Sequence, residues 1–145
     1  MICVHDIIAI AGLAIRVSIA YKDAPGAPGY YRHISEEVAA LKLLVEKVAP
    51  HFKSTPMSME DYQYGEKVLK DCQSVLEDLN SFIEKYRRLA VINRRLVLNR
   101  VKLGKEDITL LHVQLISNTV LLNGFVRRCV IHFINPAHIN ISIQL

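Results

Sequence analysis

The sequence contains no tryptophan, and tyrosine and phenylalanine make up its whole aromatic content of 7%. Only six glycines and five prolines occur in 145 residues, so the composition is not that of a disordered or collagen-like chain. The three cysteines, Cys3, Cys72 and Cys129, are odd in number and far apart, which argues against the disulfide framework of a small secreted domain. The length suffices for one domain with a core built mainly from Leu, Ile, Val and Ala, and a reducing cytosol is the expected setting.

Catalytic signatures are also missing from the sequence. It contains no nucleophile elbow, no phosphate-binding loop and no dinucleotide-binding glycine pattern. No two of the six histidines lie four residues apart with a carboxylate companion, and carboxylate pairs such as Glu36 and Glu37 are adjacent, so they point about 100° apart on a helix. We therefore expect no enzyme, no metal, no cofactor and no small-molecule substrate, while a site assembled from distant residues stays open.

Negative charge is nearly absent from the second part of the chain. Residues 1–84 carry eight Lys/Arg and twelve Asp/Glu, whereas residues 85–145 carry ten and two. An unneutralised basic run attracts anionic surfaces such as lipid headgroups, and the alternative is a solvated basic face. The residues predicted to contact an anionic surface are Arg87, Arg88, Arg94, Arg95, Arg100, Lys102 and Lys105. Nucleic acid is disfavoured as a partner, because the run lacks stacking aromatics and matches no helix-turn-helix or finger motif.

Residues 7–21 form the most apolar stretch of the chain. Its 15 residues are fewer than the roughly 20 that span a bilayer as a helix. Arg16 interrupts it, and Asp6 precedes it where a signal peptide would carry Lys or Arg. A helix that is apolar almost all round is either buried in a bundle or inserted into lipid. Taken alone, the pattern favours burial.

Three further helices follow from apolar residues spaced three and four apart. A Pro/Gly cluster at 22–29 ends the first helix. The stripe from Ile34 to Phe52 predicts a second helix, which we expect to end in a loop bracketed by Pro50 and Pro56. Ser58 and Asp61 read as a capping box for a third helix that reaches about Ala90. The fourth is predicted from Lys105 to about Arg128. The expected fold is all-α, an antiparallel bundle of four to five helices with an apolar N-terminal helix.

The last residues are different in kind. Residues 130–145 contain no charged side chain, and Ile139, Ile141, Ile143 and Leu145 alternate with polar residues, which is strand periodicity. We therefore divide the chain into a helical bundle domain at 1–129 and an uncharged, β-prone tail at 130–145. The tail is interpreted as a short strand, a self-assembly motif or the remnant of a truncated longer protein.

Four segments together resemble the fungal N-terminal domain of STAND proteins, the HeLo-like group of cell-death effector domains. They are IIAIAGLAIRVSIAYKDAP, YRHISEEVAALKLLVEKV, VLKDCQSVLEDLNSFIEKY and RVKLGKEDITLLHVQLISNTVLLNGF, which span roughly residues 7 to 126. The resemblance lies in the order and spacing of the four segments and in the residues that they contain, and none of the segments is a catalytic signature. In that family the domain usually precedes a nucleotide-binding oligomerisation module, which this chain lacks.

The resemblance implies a non-enzymatic effector of fungal regulated cell death or heterokaryon incompatibility, which acts by oligomerisation and membrane targeting. It implies a cytoplasmic protein recruited to the plasma membrane, with self-association or other helical domains as partners. The membrane-seeking residues would be Ile7, Ile8, Ile10, Leu13, Ile15, Val17 and Ile19. The alternative is a soluble helical-bundle adaptor that binds partner helices without membrane activity.

Overall fold

The computed structural model describes residues 2–24, 27–92 and 105–144, with residues 90–92, 105–106 and 132–144 described by their backbone alone. In these ranges the chain forms four α-helices and no strand, which confirms the all-α prediction. The helices are α1 (Val4–Lys22), α2 (Tyr30–Ser54), α3 (Met59–Ile92) and α4 (Lys105–Gln144).

The helices run alternately up and down the bundle. The hydroxyls of Ser18 in α1 and Ser35 in α2 donate to each other's carbonyl oxygens at 3.0 and 2.7 Å, across an antiparallel pair. Helices α1 and α3 are parallel, because Ile2 contacts Tyr62 whereas Tyr21 contacts Leu79. Both α1 and α4 pack against α2 and α3, so α1 and α4 are the diagonal pair of the bundle.

The core is aliphatic, as the composition predicts, and every helix contributes a stripe to it. Burial of such stripes, rather than helix propensity, supplies most of the stability of helices in proteins. Cys72 is fully buried in the α3 stripe, as its position predicts. The fully buried aliphatic side chains of α2 and α3 are Ile34, Val38, Leu41, Val45, Val48, Leu69, Leu76, Leu79 and Ile83.

Aromatic rings close the two ends of this core. Tyr31 packs edge-on against Tyr86 with 5.5 Å between ring centroids, at the end where α1 finishes. At the opposite end Phe52 lies 5.8 Å from Phe125. Gly65 of α3 permits that contact, because a Cβ there would lie 2.4 Å from Phe125 Cζ and 2.8 Å from Phe52 Cζ.

Of two predictions about helix ends, the structure confirms the cap at the start of α3 and contradicts the loop after α2. The Ser58 hydroxyl accepts the backbone N–H of Asp61 at 3.1 Å, so the predicted cap forms, and α3 is one continuous helix of 34 residues. The loop predicted between Pro50 and Pro56 is wrong in extent, because Pro50 lies inside α2. The helix continues past it to Ser54, whose hydroxyl donates to the Pro50 carbonyl at 2.9 Å.

The C-terminal tail is also helical rather than extended, since α4 runs from Lys105 to Gln144. The strand predicted at 139–145 therefore does not form over the residues described, and Leu145 lies outside them. A lone strand has no ladder partner in a helical bundle, whereas extending an existing helix adds one hydrogen bond per residue. The division of the chain into a domain at 1–129 and a tail at 130–145 stays a prediction. Helix α4 passes through residue 129 without a break, so the helix does not mark a boundary there.

Candidate functional site

Helix α1 has two apolar faces. The inner face is buried against α2 and α3 and includes three of the predicted membrane-seeking residues, Ile7, Ile10 and Val17. Leu13 is partly buried at the edge of this face. The remaining three, Ile8, Ile15 and Ile19, are exposed. The bundle therefore leaves part of the apolar surface of α1 exposed.

The exposed isoleucines form a continuous line, which we call the outer stripe. With Gly12 they follow the spacing i, i+4, i+7 and i+11, which is one face of an α-helix. A Cβ added to Gly12 would meet no atom within 4 Å, so the helix backbone itself is accessible there. The polar residues His5 and Arg16 are exposed beside the stripe rather than within it. Arg16, which interrupts the apolar run in the sequence, therefore does not interrupt it on the helix surface.

Hydrogen bonds hold both ends of α1 to α3. At the start, the backbone N–H of Ile2 donates to Glu66 Oε2 at 2.9 Å, and the Tyr62 hydroxyl donates to the Ile2 carbonyl at 2.6 Å. At the end, the buried Tyr21 hydroxyl donates to the Leu79 carbonyl at 2.8 Å. The outer stripe is thus displayed on a helix that is fixed at both ends.

Two carboxylates, Glu66 and Asp6, accept hydrogen bonds at the start of α1. The Ile2 N–H and Lys70 lower the pKa of Glu66, and the N–H and thiol of Cys3 lower the pKa of Asp6, which accepts at the first turn of α1. Both carboxylates favour the charged form in the folded chain, because they accept hydrogen bonds from it.

The predicted basic cluster is only partly described. Arg87 and Arg88 are exposed near the end of α3, where Tyr86 contacts Tyr31 beside the end of α1. Lys22, also exposed, closes α1 at the same end of the bundle. Arg94, Arg95, Arg100 and Lys102 lie outside the described residues, and Lys105 begins α4 with its side chain undescribed. This end of the bundle thus mixes exposed charges of both signs, the cations being Lys22, Arg32, Lys85, Arg87 and Arg88 and the acids Asp23, Glu84 and Asp107.

A second exposed apolar surface lies on α4 and was missed by the sequence analysis. We call it the α4 apolar face. Its residues are Leu110, Val113, Ile116, Val120 and Leu121. The signal was present in the sequence, because no Asp, Glu, Lys or Arg occurs between Asp107 and Arg127. The helix is therefore apolar both on its buried stripe through Leu115 and Leu122 and on the opposite side.

Both helices with exposed apolar surface are long and apolar enough to cross a membrane by length and composition. They are Val4–Lys22 and Asp107–Ile131 within the described part of the chain. Core helices of soluble proteins satisfy the same criteria, so the two are candidates by composition only. The helices differ in packing, since α1 buries a larger share of its residues than α4 does.

The remaining polar groups in the interior offer little chemistry. Burial raises the pKa of the Cys72 thiol to about 12 and also raises that of Cys129, so both thiols are protonated at neutral pH. No group of three metal-ligating side chains occurs among the described residues. A cleft of ≈ 180 Å³ beside Tyr30 and His112 is smaller than the roughly 300 Å³ of the smallest typical ligand pockets.

The cleft lies at a polar contact between α2 and α4. His112 Nε2 and Glu37 Oε2 are 2.5 Å apart, and both side chains are partly exposed. Asn118, which lies in the buried stripe of α4 by sequence, is half-buried and donates to the Asp71 carbonyl at 3.3 Å. These contacts fix the register of α4 against its neighbours, and we assign them no chemical role.

Comparison of the sequence with protein-family models, with curated proteins and with solved structures finds no match. The resemblance to HeLo-like domains therefore stands on the residue patterns quoted above. Inferences about function therefore rest on the exposed surfaces of the bundle.

Proposed function

We propose that this chain is a non-enzymatic effector domain that acts at membranes through α1, as the resemblance to HeLo-like cell-death domains implies. The observation that carries the proposal is the outer stripe of α1. A helix with one face in the core and three exposed isoleucines on the other can touch lipid without unfolding. The exposed cations Lys22, Arg87 and Arg88 would attract an anionic surface, while the exposed carboxylates of Asp23 and Glu84 at the same end oppose that attraction.

Contact of lipid with the outer stripe would come first, because it requires less free energy than extraction of α1 from the bundle. Ile8, Ile15 and Ile19 are between 41% and 62% exposed, and covering what remains is worth roughly 2–5 kcal/mol. Extracting α1 into lipid would instead uncover the core surface of α2 and α3 that Ile7, Ile10, Val17 and Tyr21 now cover, at a cost of roughly 6–12 kcal/mol. That cost is similar to the whole stability of a small domain, about 5–15 kcal/mol.

Deeper insertion of α1 would then be a second step that needs compensation. At 19 residues the helix is about 28 Å long, close to the hydrocarbon thickness of about 30 Å. Arg16 near its middle adds about 2.5–3.5 kcal/mol at the bilayer centre. Oligomerisation, which the resemblance also implies, would supply neighbours for Arg16 and for the exposed helix ends.

Dye leakage from vesicles tests the proposal on the full chain. We expect leakage that is stronger from anionic than from neutral vesicles and that Ile19→Glu abolishes, because it places a negative charge at the C-terminal end of the outer stripe. The matched control is Leu43→Glu on α2, since Ile19 is 53% and Leu43 is 54% exposed. Ile8→Glu repeats the test in the first turns of α1, where an acidic residue suits the helix dipole.

The leakage assay separates the two functions. Equal leakage by Ile19→Glu, Ile8→Glu and Leu43→Glu would remove α1 from the mechanism. No leakage by any folded form would favour the alternative, a soluble adaptor that binds partner helices. The observation that favours the adaptor is the α4 apolar face, which a partner helix could cover.

A further inference from the structure

We infer that the contact between Ser18 of α1 and Ser35 of α2 is a latch, which stays closed while the outer stripe touches lipid and opens when α1 inserts. The inference rests on the proposed function and deepens it, because it names the contact that separates lipid contact from insertion. Its observations are the reciprocal hydrogen bonds of the two serines, the burial of Ser35 and a second partner that Ser18 has within α1.

The two serines bind each other through both hydroxyls and both backbones. The Ser18 hydroxyl donates to the Ser35 carbonyl at 3.0 Å, and the Ser35 hydroxyl donates to the Ser18 carbonyl at 2.7 Å. Ser35 is 5% exposed, and no other Ser, Thr, Asn, Gln, His or charged side chain is buried among the described residues. A hydroxyl that stays buried after losing its partner is costly, so slight lifting or sliding of α1 is disfavoured. The contact therefore favours two states, α1 fully seated on α2 or fully separated from it.

The latch lies beside the outer stripe rather than within it. Ile15 and Ile19 are exposed, whereas Ser18 is half-buried and directs its hydroxyl to α2. Contact of lipid with the outer stripe therefore leaves both serine bonds in place. Removal of α1 from α2 breaks them, so the latch acts on the second step alone.

Opening the latch leaves no unpaired hydroxyl on α1. A serine within a helix can donate to the carbonyl four residues earlier, which for Ser18 is that of Ala14. Helix α4 contains such a bond, from the Thr119 hydroxyl to the Leu115 carbonyl at 2.7 Å. In a bilayer this bond replaces the one to α2, because no water is available there. The buried Tyr21 lies one residue before the end of α1, where its hydroxyl would reach the polar interface.

Alanine at both positions tests the latch on the full chain. Ser18→Ala/Ser35→Ala removes both hydroxyls, and we expect dye leakage at least about fivefold faster from vesicles of phosphatidylcholine and phosphatidylserine. Binding to the same vesicles, measured by flotation, should equal that of the wild type, because the outer stripe is unchanged.

The control for general weakening of the bundle is Ile108→Val on the diagonal helix α4. Ile108 is 1% exposed, so its truncation lowers the stability of the core by an amount similar to the loss of hydrogen bonds. Denaturant unfolding verifies that the two variants are similarly weakened. Leakage should be unchanged in Ile108→Val. Equal acceleration in both variants, or none in the alanine variant, would overturn the latch.

A reversible cross-link tests whether α1 has to leave α2. The two hydroxyl oxygens are 3.1 Å apart, so a disulfide in Ser18→Cys/Ser35→Cys requires little movement. With Cys3→Ser in the background, the oxidised protein should bind the vesicles normally without leakage, and a reducing agent should restore leakage. Ser18→Cys alone controls for the oxidant and should leak under both conditions. Equal leakage by the oxidised and reduced forms of the double variant would overturn the inference.

Failure of the inference is distinguishable from failure of the proposed function. Leakage that responds to Ile19→Glu but not to the cross-link would leave the membrane role of α1 standing and remove the latch. A wild-type chain that neither binds these vesicles nor causes leakage would remove the membrane role, and the latch with it.

Discussion

Two buried tyrosines in the same cluster have opposite hydrogen-bond status. The Tyr21 hydroxyl donates to the Leu79 carbonyl, whereas the Tyr31 hydroxyl is buried without a well-formed hydrogen bond to any described residue and interacts only with the neighbouring Tyr30 side chain. Their rings lie 5.3 Å apart, so packing around the two is similar. Burial raises the pKa of both hydroxyls, so both stay neutral at physiological pH. Comparing a Tyr→Phe substitution at the two positions therefore measures what one buried hydrogen bond contributes to the free energy of unfolding.

We predict that Tyr21→Phe lowers the free energy of unfolding by about 0.5–1.5 kcal/mol, the usual net value of such a hydrogen bond. Tyr31→Phe removes a polar group that lacks a well-formed hydrogen bond and should leave stability unchanged or raise it by up to about 1 kcal/mol. Denaturant unfolding of the two variants checks the prediction. Equal losses in both would show that Tyr31 has a partner of similar worth.

At the scale of the helix, the start of α1 depends on α3. Glu66 accepts the Ile2 N–H from the second residue of the chain, and Lys70 lies one turn further along α3. The sequence could not reveal this contact, because Ile2 and Glu66 are 64 residues apart. It adds a pH-dependent anchor to the helix that carries the outer stripe.

The anchor predicts loss of stability in acid. The pKa of Glu66 is lower in the folded chain than its ordinary value of 4.5, so its contribution is present above pH 4.5 and is lost as the pH falls through the folded-state value. Glu66→Gln keeps an acceptor for the Ile2 N–H but cannot titrate. Melting temperatures measured between pH 7 and pH 3 should therefore fall less steeply for Glu66→Gln than for the wild type, while Asp6 leaves both with a residual slope. Identical slopes would contradict the anchor.

The sequence predicts the helices of this bundle better than their surfaces. Spacings of three and four identify α2 and α3 and their buried stripes, because one apolar face must be removed from water. They also identify α4 and its buried stripe through Leu115 and Leu122, but they miss the exposed apolar residues of α1 and α4, because apolar residues lie on both sides of these two helices. Which face of Ile7–Tyr21 is buried depends on contacts with α2 and α3, which lie far away in the sequence.

The C-terminal tail also shows that a local sequence pattern does not determine the structure on its own. Alternation at Ile139, Ile141 and Ile143 is a local preference, and it has no effect without a neighbouring strand to pair with. The structure continues α4 instead. The exposed apolar surface of α4, by contrast, could have been predicted from the sequence. The nineteen residues between Asp107 and Arg127 include no Asp, Glu, Lys or Arg, which is more uncharged sequence than one narrow buried stripe requires.

The whole molecule is a folded bundle with exposed apolar surface on two diagonal helices, α1 and α4. We propose that the outer stripe of α1 contacts an anionic membrane while the bundle stays folded.

The most direct measurement is the emission of an environment-sensitive fluorophore attached at Ile15→Cys, compared with one at Leu43→Cys, with anionic vesicles added. Cys3→Ser removes the exposed native thiol, and the buried Cys72 and Cys129, with raised pKa values, react poorly. We predict a blue shift at position 15 alone, with unchanged helical circular dichroism. No shift at position 15, or an equal shift at position 43, would contradict the account.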